Sequence, residues 1–438
     1  MTRPENTQAW PSTARAWTVT SLLLLAYVLS FIDRQILNLL AEPIRLDLEL
    51  SDLEIGFVQG PAFVVTYILI SFPLGWLSDS VNRMRLLAVG LGFWTLATMA
   101  CGLSRDVTQL AIARAGVGVG EATLTPTAWS LLADSFPPEK RSVPVSIFLT
   151  GPYLGAGLAM LFGAQILTAF SGPVSIGDFV LQPWQICFIV VAAPGLILAA
   201  VIGALREPKR MLTVAEDPEE RSLMDFLRVI AGRWQIYVGL WGGAGFLAVM
   251  LYGLQAWTPA YLMRVHGFSI AEAGVQYGVV ALFAGSAGVL SGPFIHRWLM
   301  RVTDNDHALT IGAFCAGILA PLGLLLAVAE GLTIIPIIAV LSFAVTIPFA
   351  LITTTLQLVT PNVFRGRAAA VSVVASNLFG LGFGPPFVGY LTDSVFRDPT
   401  LIGNSMGVLF IVFGTASAIC FFIGARSLVR AELHTVIN

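Results

Sequence analysis

The sequence predicts an all-α integral membrane protein with twelve transmembrane helices in two pseudo-symmetric six-helix bundles. Three observations predict this fold class: a strongly apolar composition, twelve apolar runs of spanning length, and a weak repeat between the two halves. Of the 438 residues, 56% are hydrophobic and 11% are charged, and the mean hydropathy is +0.82. Because charged residues make up about 25% of an average soluble domain, this composition favours a chain embedded in a bilayer.

The apolar runs are about 20 residues or longer, which is the length that a helix needs to cross the hydrocarbon core. They lie near 17–41, 54–78, 86–104, 108–135, 143–171, 184–205, 234–264, 270–298, 308–330, 333–360, 367–396 and 402–429. Residues 1–16 are polar, so we expect the first run to stay as an anchor and not to be cleaved as a signal peptide. The predicted organisation is an N-terminal tail, a first bundle, a linker, a second bundle and a C-terminal tail, over 1–16, 17–205, 206–233, 234–429 and 430–438.

The basic residues predict the orientation of the chain. Two of the 24 lysine and arginine residues lie within predicted spans, eighteen lie on one side of the spans, and four lie on the other side, namely Arg45, Arg105, Arg264 and Arg397. Because cytoplasmic loops carry the excess of lysine and arginine, we expect both termini and the linker in the cytoplasm. The short tails favour a bacterial inner (plasma) membrane. Within the linker, 222–231 fits either an amphipathic helix on the membrane surface or a solvated tether.

Two pairs of loop segments repeat between the halves. SDLEIGFVQG (51–60) aligns with SIAEAGVQYG (269–278), and FPPEKRSVPVS (136–146) aligns with TPNVFRGRAAA (360–370). Each pair occupies the same place in its own set of six predicted helices. Repeated halves with a binding site between them are a recurring architecture of transporters.

Four ionisable residues lie inside apolar runs of the first half, and the matching positions of the second half are uncharged. Asp33 and Arg34 interrupt the first run, and Arg114 and Glu121 interrupt the fourth run. Charge at bilayer depth costs roughly 2.5–3.5 kcal/mol per residue on insertion scales, so such residues normally face a bundle interior and mark ion or substrate pathways. From a rise of about 1.5 Å per residue, we expect Asp33, Arg34 and Arg114 at one level and Glu121 deeper, near mid-membrane.

These four residues suggest a role in proton coupling. We hypothesise that Asp33 and Glu121 carry the coupling ion, H⁺, while Arg34 and Arg114 set the proton affinity of these acids or hold an anionic head group. Desolvation favours the neutral carboxyl and a nearby arginine favours the ionised one, so a conformational change can move a proton. A structural set of ion pairs is the alternative. We expect no metal site and no other cofactor, and the net charge of −2 predicts no nucleic-acid partner.

Three motifs resemble those of the major facilitator superfamily. GWLSDSVNRMR (75–85) follows the second run and matches the loop signature of that superfamily through Gly75, Asp79, Arg83 and Arg85. RAGVGVGEA (114–122) resembles the arginine-and-glycine motif of the fourth helix. TGPYLGAG (150–157), with Gly151 and Pro152, resembles the fifth-helix motif of proton-coupled exchangers.

The loop signature leads to local expectations about gating. Gly75 is expected to permit close helix approach, and Asp79 to cap a helix or pair with an arginine when the cytoplasmic side closes. Asn82 stands where the superfamily usually has glycine, and asparagine also accepts positive φ. The second-half copy, GPFIHRWLMR (292–301), has His296 in place of the acid, which argues against a symmetrical latch.

Within the superfamily, SFIDRQ (30–35) together with GVGEA (118–122) resembles the spinster family over most of the chain. Spinster members are proton-linked exporters of lysophospholipids or sphingosine phosphate, so the resemblance implies a major facilitator fold and a small amphiphilic substrate. A proton-driven drug or organic-anion carrier of the same superfamily would have the same charges. A non-transporting membrane sensor is a second alternative.

The second half predicts a largely apolar wall for the substrate cavity. Candidate lining residues are Tyr153, Tyr252, Gln255, Thr346, Thr353 and Gln357, each of which is also consistent with packing alone. A cavity that is charged on one wall and apolar on the other suits an amphiphile with a polar or anionic head. An enzyme is not expected, because no nucleophile elbow or metal-ligand pair appears. We expect a monomer in the lipid bilayer.

Overall fold

The structure, a computed structural model, describes residues 10–170, 172–176, 179–211, 222–303 and 307–437. Parts of the predicted tails and linker, at 1–9, 212–221 and 438, lie outside the described residues. The described part of the first half contains nine α-helices: α1 (Thr13–Asp47), α2 (Asp52–Gln59), α3 (Pro61–Ser80), α4 (Arg83–Cys101), α5 (Val107–Glu121), α6 (Leu124–Ser135), α7 (Ser142–Phe148), α8 (Gly151–Ala169) and α9 (Pro183–Ala204). A hairpin of β1 (Val174–Ile176) and β2 (Phe179–Leu181) precedes α9.

The second half follows a short linker helix, α10 (Leu223–Gly232). Its helices are α11 (Trp234–Tyr237), α12 (Ala244–His266), α13 (Ile270–Val280), α14 (Ser286–Thr303), α15 (Ala308–Gly323), α16 (Leu325–Val328), α17 (Ile334–Val359), α18 (Arg365–Tyr390) and α19 (Ile402–Ile437). Wide π-helical turns at Val238–Gly243 and Ala281–Gly285 lie within two of its long helical stretches, and a third at Leu391–Phe396 ends α18. Such turns are rare and often lie at functional sites.

Eleven continuous helical stretches of the described chain are long and apolar enough to cross a membrane. The remaining predicted span, 108–135, is divided into α5 and α6 by a turn at Ala122 and Thr123. The break directly follows Glu121, so this buried acid lies at the end of a helix. The all-helical membrane fold predicted from the sequence is confirmed. The one predicted span that is divided contains Glu121, one of the four predicted intramembrane charges.

The first repeated loop pair has the same local structure in both halves. Ser51 caps α2 by accepting a hydrogen bond from the Glu54 amide at 3.2 Å, and Glu54 accepts one from the Ser51 amide at 2.9 Å. Ser269 and Glu272 form the same reciprocal cap on α13, at 3.2 and 2.8 Å. This serine and glutamate pair is a capping box, which explains why both residues recur in the sequence repeat.

The second repeated loop pair also matches. The Arg141 guanidinium donates to the Phe136 carbonyl, and the Arg365 guanidinium donates to the Thr360 carbonyl, both at 3.3 Å and both five residues back. Each arginine therefore closes the turn that links two helices of its own half. The repeat in sequence is a repeat in structure.

The linker forms a helix next to the second half. α10 begins after Ser222, whose hydroxyl caps the helix by accepting from the Met224 amide at 3.1 Å. Phe226 is buried against Phe364, with ring centroids 5.7 Å apart. Of the two sequence interpretations of 222–231, the helix is the one that the structure contains.

The two halves pack tightly at one end of the molecule, which carries Asp52, Arg264 and Gly389 and is called the closed end below. A Cβ atom added to Gly56 of α2 would lie 2.7 Å from the Pro385 carbonyl oxygen of α18, and one added to Gly389 of α18 would overlap the Asp52 carbonyl. Glycine is therefore required where these helices cross. Away from this end a cavity separates the two halves.

We predict that Gly389→Ala opens the closed end. The added methyl group cannot fit beside the Asp52 backbone, and overpacking typically costs about 1–3 kcal/mol. Distances between spin labels on either side of this end should lengthen in the variant. Gly382→Ala in the same helix is the control, because its Cβ would have no neighbour closer than 3.8 Å; equal distances in both variants would contradict the prediction.

Candidate functional site

Two of the predicted intramembrane charges form an ion pair. The Arg34 guanidinium donates to the same Glu121 carboxylate oxygen, Oε2, through Nε at 2.6 Å and Nη2 at 2.5 Å. Ser30, one turn before Arg34 on α1, donates to this oxygen at 2.7 Å. Glu121 is 1% exposed, and its other oxygen, Oε1, has no hydrogen-bond partner within the described chain. The pair joins the middle of α1 to the broken end of α5.

The other two charges also lie where α1 contacts α5. The Arg114 Nη1 atom donates to the backbone carbonyl of Asp33 at 3.3 Å, while the Asp33 carboxylate accepts from the Thr98 hydroxyl at 3.2 Å. Both side chains are buried. The four charges, called the charge cluster below, thus lie together where α1 meets α4 and α5, but Asp33 and Arg114 make no side-chain ion pair.

The predicted depths of these charges need correction. The sequence placed Glu121 below Arg34, whereas the structure places them in direct contact. The apolar run of the first span ends at 41, but α1 continues to Asp47 with Pro43 inside it. Measured from these observed ends, Arg34 and Glu121 both lie about 20 Å along their helices.

Aromatic rings surround the two arginines. The Arg34 guanidinium carbon lies 4.6 Å from the ring centroid of Phe63, 4.9 Å from that of Phe31 and 5.0 Å from that of Tyr67. The Arg114 guanidinium carbon lies 5.3 Å from the Phe63 ring centroid. Ring faces attract cations more strongly when both are desolvated, so this arrangement stabilises guanidinium groups that have little contact with water.

A central cavity of about 340 Å³ lies between the two halves. Five of the six predicted cavity residues line it, namely Tyr153, Tyr252, Gln255, Thr346 and Thr353, and so does Pro152 of the fifth-helix motif. Gln357 does not line the cavity: it is exposed further along α17. The described lining contains aromatic, aliphatic, hydroxyl and amide groups but no charged side chain.

The two predicted threonines donate their hydroxyl protons to backbone carbonyls. Thr346 donates to the carbonyls of Gly285 and Ser342, both at 3.0 Å, and Thr353 donates to that of Phe349 at 3.0 Å. The second-half wall therefore offers mainly apolar surface and hydroxyl oxygens to a bound molecule.

A hydrogen bond between two glutamine side chains spans the cavity at the end nearer the closed end, called the roof below. Gln35 Nε2 of α1 donates to Gln255 Oε1 of α12 at 3.0 Å, and Asn38 donates to Gln35 at 2.7 Å. Gln59 of α2 donates to the Ala256 carbonyl at 3.1 Å. Gln35, Asn38 and Gln59 were not predicted from the sequence. The spacing of Gln35, Asn38 and Glu42 along one face of α1 was the signal that could have indicated the first two.

An ion-pair cluster joins the two halves at the closed end. Arg264 of α12 donates to both carboxylate oxygens of Asp52 at 2.7 Å and also contacts Glu42 of α1. Arg45 binds Glu42 at 2.8 Å. The sequence analysis missed this cluster, although Arg45 and Arg264 are two of the four arginines on the sparsely charged side.

The signature loop is linked to the start of the linker. Arg83 is fully buried and binds Asp134 and Glu207, both at 2.5 Å. Asp79 and Arg85 are exposed. Arg210 of the linker contacts the Asp79 backbone carbonyl, and no arginine of the described chain binds the Asp79 carboxylate.

The structure tests one of the local expectations for the signature loop. A Cβ at Gly75 would meet nothing within 4 Å in this conformation, in which the halves are apart at this end, so its close helix approach stays a prediction. The positive φ that asparagine could adopt at position 82 is not used. Asn82 has φ of −67°, and its side chain caps α4 by accepting from the Arg85 amide at 2.9 Å. Gly151 begins α8 directly against the Tyr27 ring of α1.

No group of three or more His, Cys, Asp or Glu side chains in the described chain has a geometry that fits a metal ion. The chemistry available at this site is therefore that of buried acids, arginines and amides. Such groups can hold or release protons and bind polar parts of a ligand.

Comparisons with known proteins agree with the fold and the motifs. The family model of the Major Facilitator Superfamily matches residues 23–385. An MFS-type efflux pump of Mycolicibacterium smegmatis is 29% identical over 422 residues, which cover 94% of this chain and 93% of that protein. Human protein spinster homolog 1 is 25% identical over 441 residues, covering 94% of this chain and 79% of that protein.

A solved structure shares the whole architecture. The crystal structure of a bacterial homolog to the human lysosomal transporter spinster, in an inward-facing and unoccupied conformation, aligns with a TM-score of 0.80 at 23% identity. The alignment covers 97% of this chain and 98% of that chain. Together with the sequence relatives, this match confirms the resemblance to the spinster family.

We predict that Arg264→Met shifts the molecule away from the conformation described here. Removing one partner of a buried ion pair costs ~3–5 kcal/mol. Asp52 and Glu42 would lose Arg264 while the closed end remained shut, and they would keep only Arg45, which lies 2.8 Å from Glu42 and 3.8 Å from Asp52. Label distances across the closed end should lengthen. Arg105→Met, at an exposed arginine on the same predicted side, should leave them unchanged; an unchanged distance in Arg264→Met would show that the ion pairs do not hold this end shut.

Proposed function

The chain belongs to the major facilitator superfamily, and we propose on this basis that it is a proton-coupled secondary active transporter of lysophospholipids or related amphiphiles that works by alternating access. Membership of the superfamily makes it a membrane transporter and not an enzyme. The observation that carries the finer proposal is the buried Arg34–Glu121 ion pair beside a largely apolar central cavity.

We propose Glu121 as a proton carrier. Its carboxylate is buried and holds Arg34 through one oxygen, while its second oxygen has no partner in the described chain. Adding a proton would cancel the charge that holds α1 to the end of α5, so the contact between these helices depends on protonation. A ligand or ion can shift a conformational equilibrium only through such a difference between states.

Asp33 is proposed as the second carrier. It is buried, its Oδ1 atom has no partner in the described chain, and its backbone is held by Arg114. Arg34 and Arg114 then set the proton affinity of the two acids. Arg34, which is 13% exposed, is the arginine better placed to reach an anionic head group from the cavity side.

The cavity supports an amphiphilic substrate. Its described lining is uncharged, with Phe31 and Phe349 offering apolar surface and the Gln35–Gln255 bridge offering amide groups at the roof. Pockets of this kind bind apolar ligands and use a few polar groups to fix their orientation. We propose that the head group lies near the roof and the acyl chain lies along the second-half wall.

The proposed orientation places both termini in the cytoplasm. The closed end then faces outward, and the cavity opens towards the cytoplasm. The match to an inward-facing spinster homolog supports this assignment of the conformation.

A drug efflux pump is the second candidate function. The relative named MFS-type efflux pump, at 29% identity, and the uncharged cavity lining both favour it. The charge cluster fits either substrate class, so only transport assays separate them.

We predict that Glu121→Gln abolishes transport driven by a pH gradient and leaves folding intact, because the amide cannot take up a proton. Proteoliposomes loaded with labelled lysophosphatidylethanolamine or sphingosine phosphate, with and without an imposed pH gradient, measure this directly. Glu139→Gln, at an exposed acid, is the matched control and should transport as the unchanged protein does. Gradient-driven uptake that persists in Glu121→Gln would remove Glu121 from the mechanism. Gradient-driven transport of a cationic dye without lysolipid transport would favour the drug carrier.

A further inference from the structure

A small polar chamber lies beside the charge cluster, separate from the central cavity. It measures about 20 Å³ and is lined by Arg34, Arg114, Gln35, Asn38 and Gln59. Its other walls are aromatic and apolar side chains of α1, α3, α12 and α18, so both halves of the molecule enclose it. A space of about 10–15 Å³ is enough for one water-sized group. The chamber therefore has room for a ligand of one heavy atom.

Arg114 is a buried cation without a counter-ion. Its side chain is 1% exposed, and no carboxylate oxygen within the described ranges lies within the 4.0 Å limit of an ion pair. Among the described residues, its hydrogen bond is the long one to the Asp33 carbonyl, and its Nε atom has no partner there. Burial of an unpaired charge is strongly unfavourable, so a negative charge next to this guanidinium would stabilise the folded protein.

The two acids of the charge cluster do not supply that charge by contact. Glu121 is held by Arg34 and Ser30, and the Asp33 carboxylate is bound by Thr98. The aromatic ring of Phe63 lies near Arg114 but offers no formal charge. What remains beside Arg114 is the chamber itself.

We infer that this chamber binds one small monovalent anion of chloride size, held by Arg114. Arg34 also lines the chamber, but its charge is paired with Glu121, so the unpaired positive charge is that of Arg114. The Nε–H group of Arg114 has no partner within the described chain and can donate to the anion. Gln59 Oε1 also lacks a partner there. A phosphate has too many heavy atoms for this volume. The site is thus distinct from a substrate head-group site, and it depends on no assumption about the transported molecule.

Bromide crystallography tests the site in the unchanged protein. Crystals of the full chain grown with bromide in place of chloride should show an anomalous peak in the chamber, within hydrogen-bonding distance of Arg114. A chamber without an anomalous peak, or one filled by water alone, would overturn the inference. This test needs no variant and no transport assay, so its failure is distinguishable from failure of the proposed function.

Thermal unfolding gives an independent test of the same site. At constant ionic strength, replacing gluconate by chloride should raise the Tm of the full chain with saturation, and sulfate should not. Arg114→Gln should lose this shift, whereas the exposed-arginine control Arg105→Gln should keep it. An equal shift in Arg114→Gln would contradict the inference. Competition of lysophosphatidylethanolamine with the chloride effect would assign the chamber to a head group instead; if Arg114→Gln does not fold, the bromide crystals decide.

Discussion

The structure of the first half depends on how charge is compensated in a region that water does not reach. Arg34 and Glu121 meet in the middle of the bundle, and a hydroxyl and three aromatic rings complete their surroundings. The alternative, an isolated ion in hydrocarbon, is costly. The break between α5 and α6 follows from the same constraint, because ending the helix at Glu121 places its carboxylate beside α1.

Two layers of polar contacts join the two halves. The Gln35–Gln255 bridge lies at the roof of the cavity, and Arg264 with its two acids lies nearer the closed end. Between these layers glycines of α2 and α18 allow the backbones to approach. Hydrogen bonds and ion pairs are directional, so these layers make closure a defined state with a fixed register. An apolar interface would permit many similar states.

Sequence reasoning predicted the fold better than the site. Periodic apolar runs, the paired loops at 51–60 and 269–278, and the buried charges were all visible in the chain, since each reflects local chemistry. The partners of those charges were not visible in the sequence. Arg114 and Asp33 lie on two helices that contact each other, yet the contact between the two residues uses the backbone carbonyl of Asp33. Helix ends were a source of error, because the apolar run ends at 41 whereas α1 continues through Pro43 to Asp47.

The buried charges and most of the cavity wall lie in different halves of the molecule. The charge cluster lies within the first half, whereas much of the cavity wall, including Tyr252, Ser342 and Ser376, belongs to the second. Substitutions on that wall can alter which molecules fit while leaving the ionic interior untouched. Relatives of this chain are therefore expected to diversify in ligand preference through the second half and to keep the buried charges of the first half.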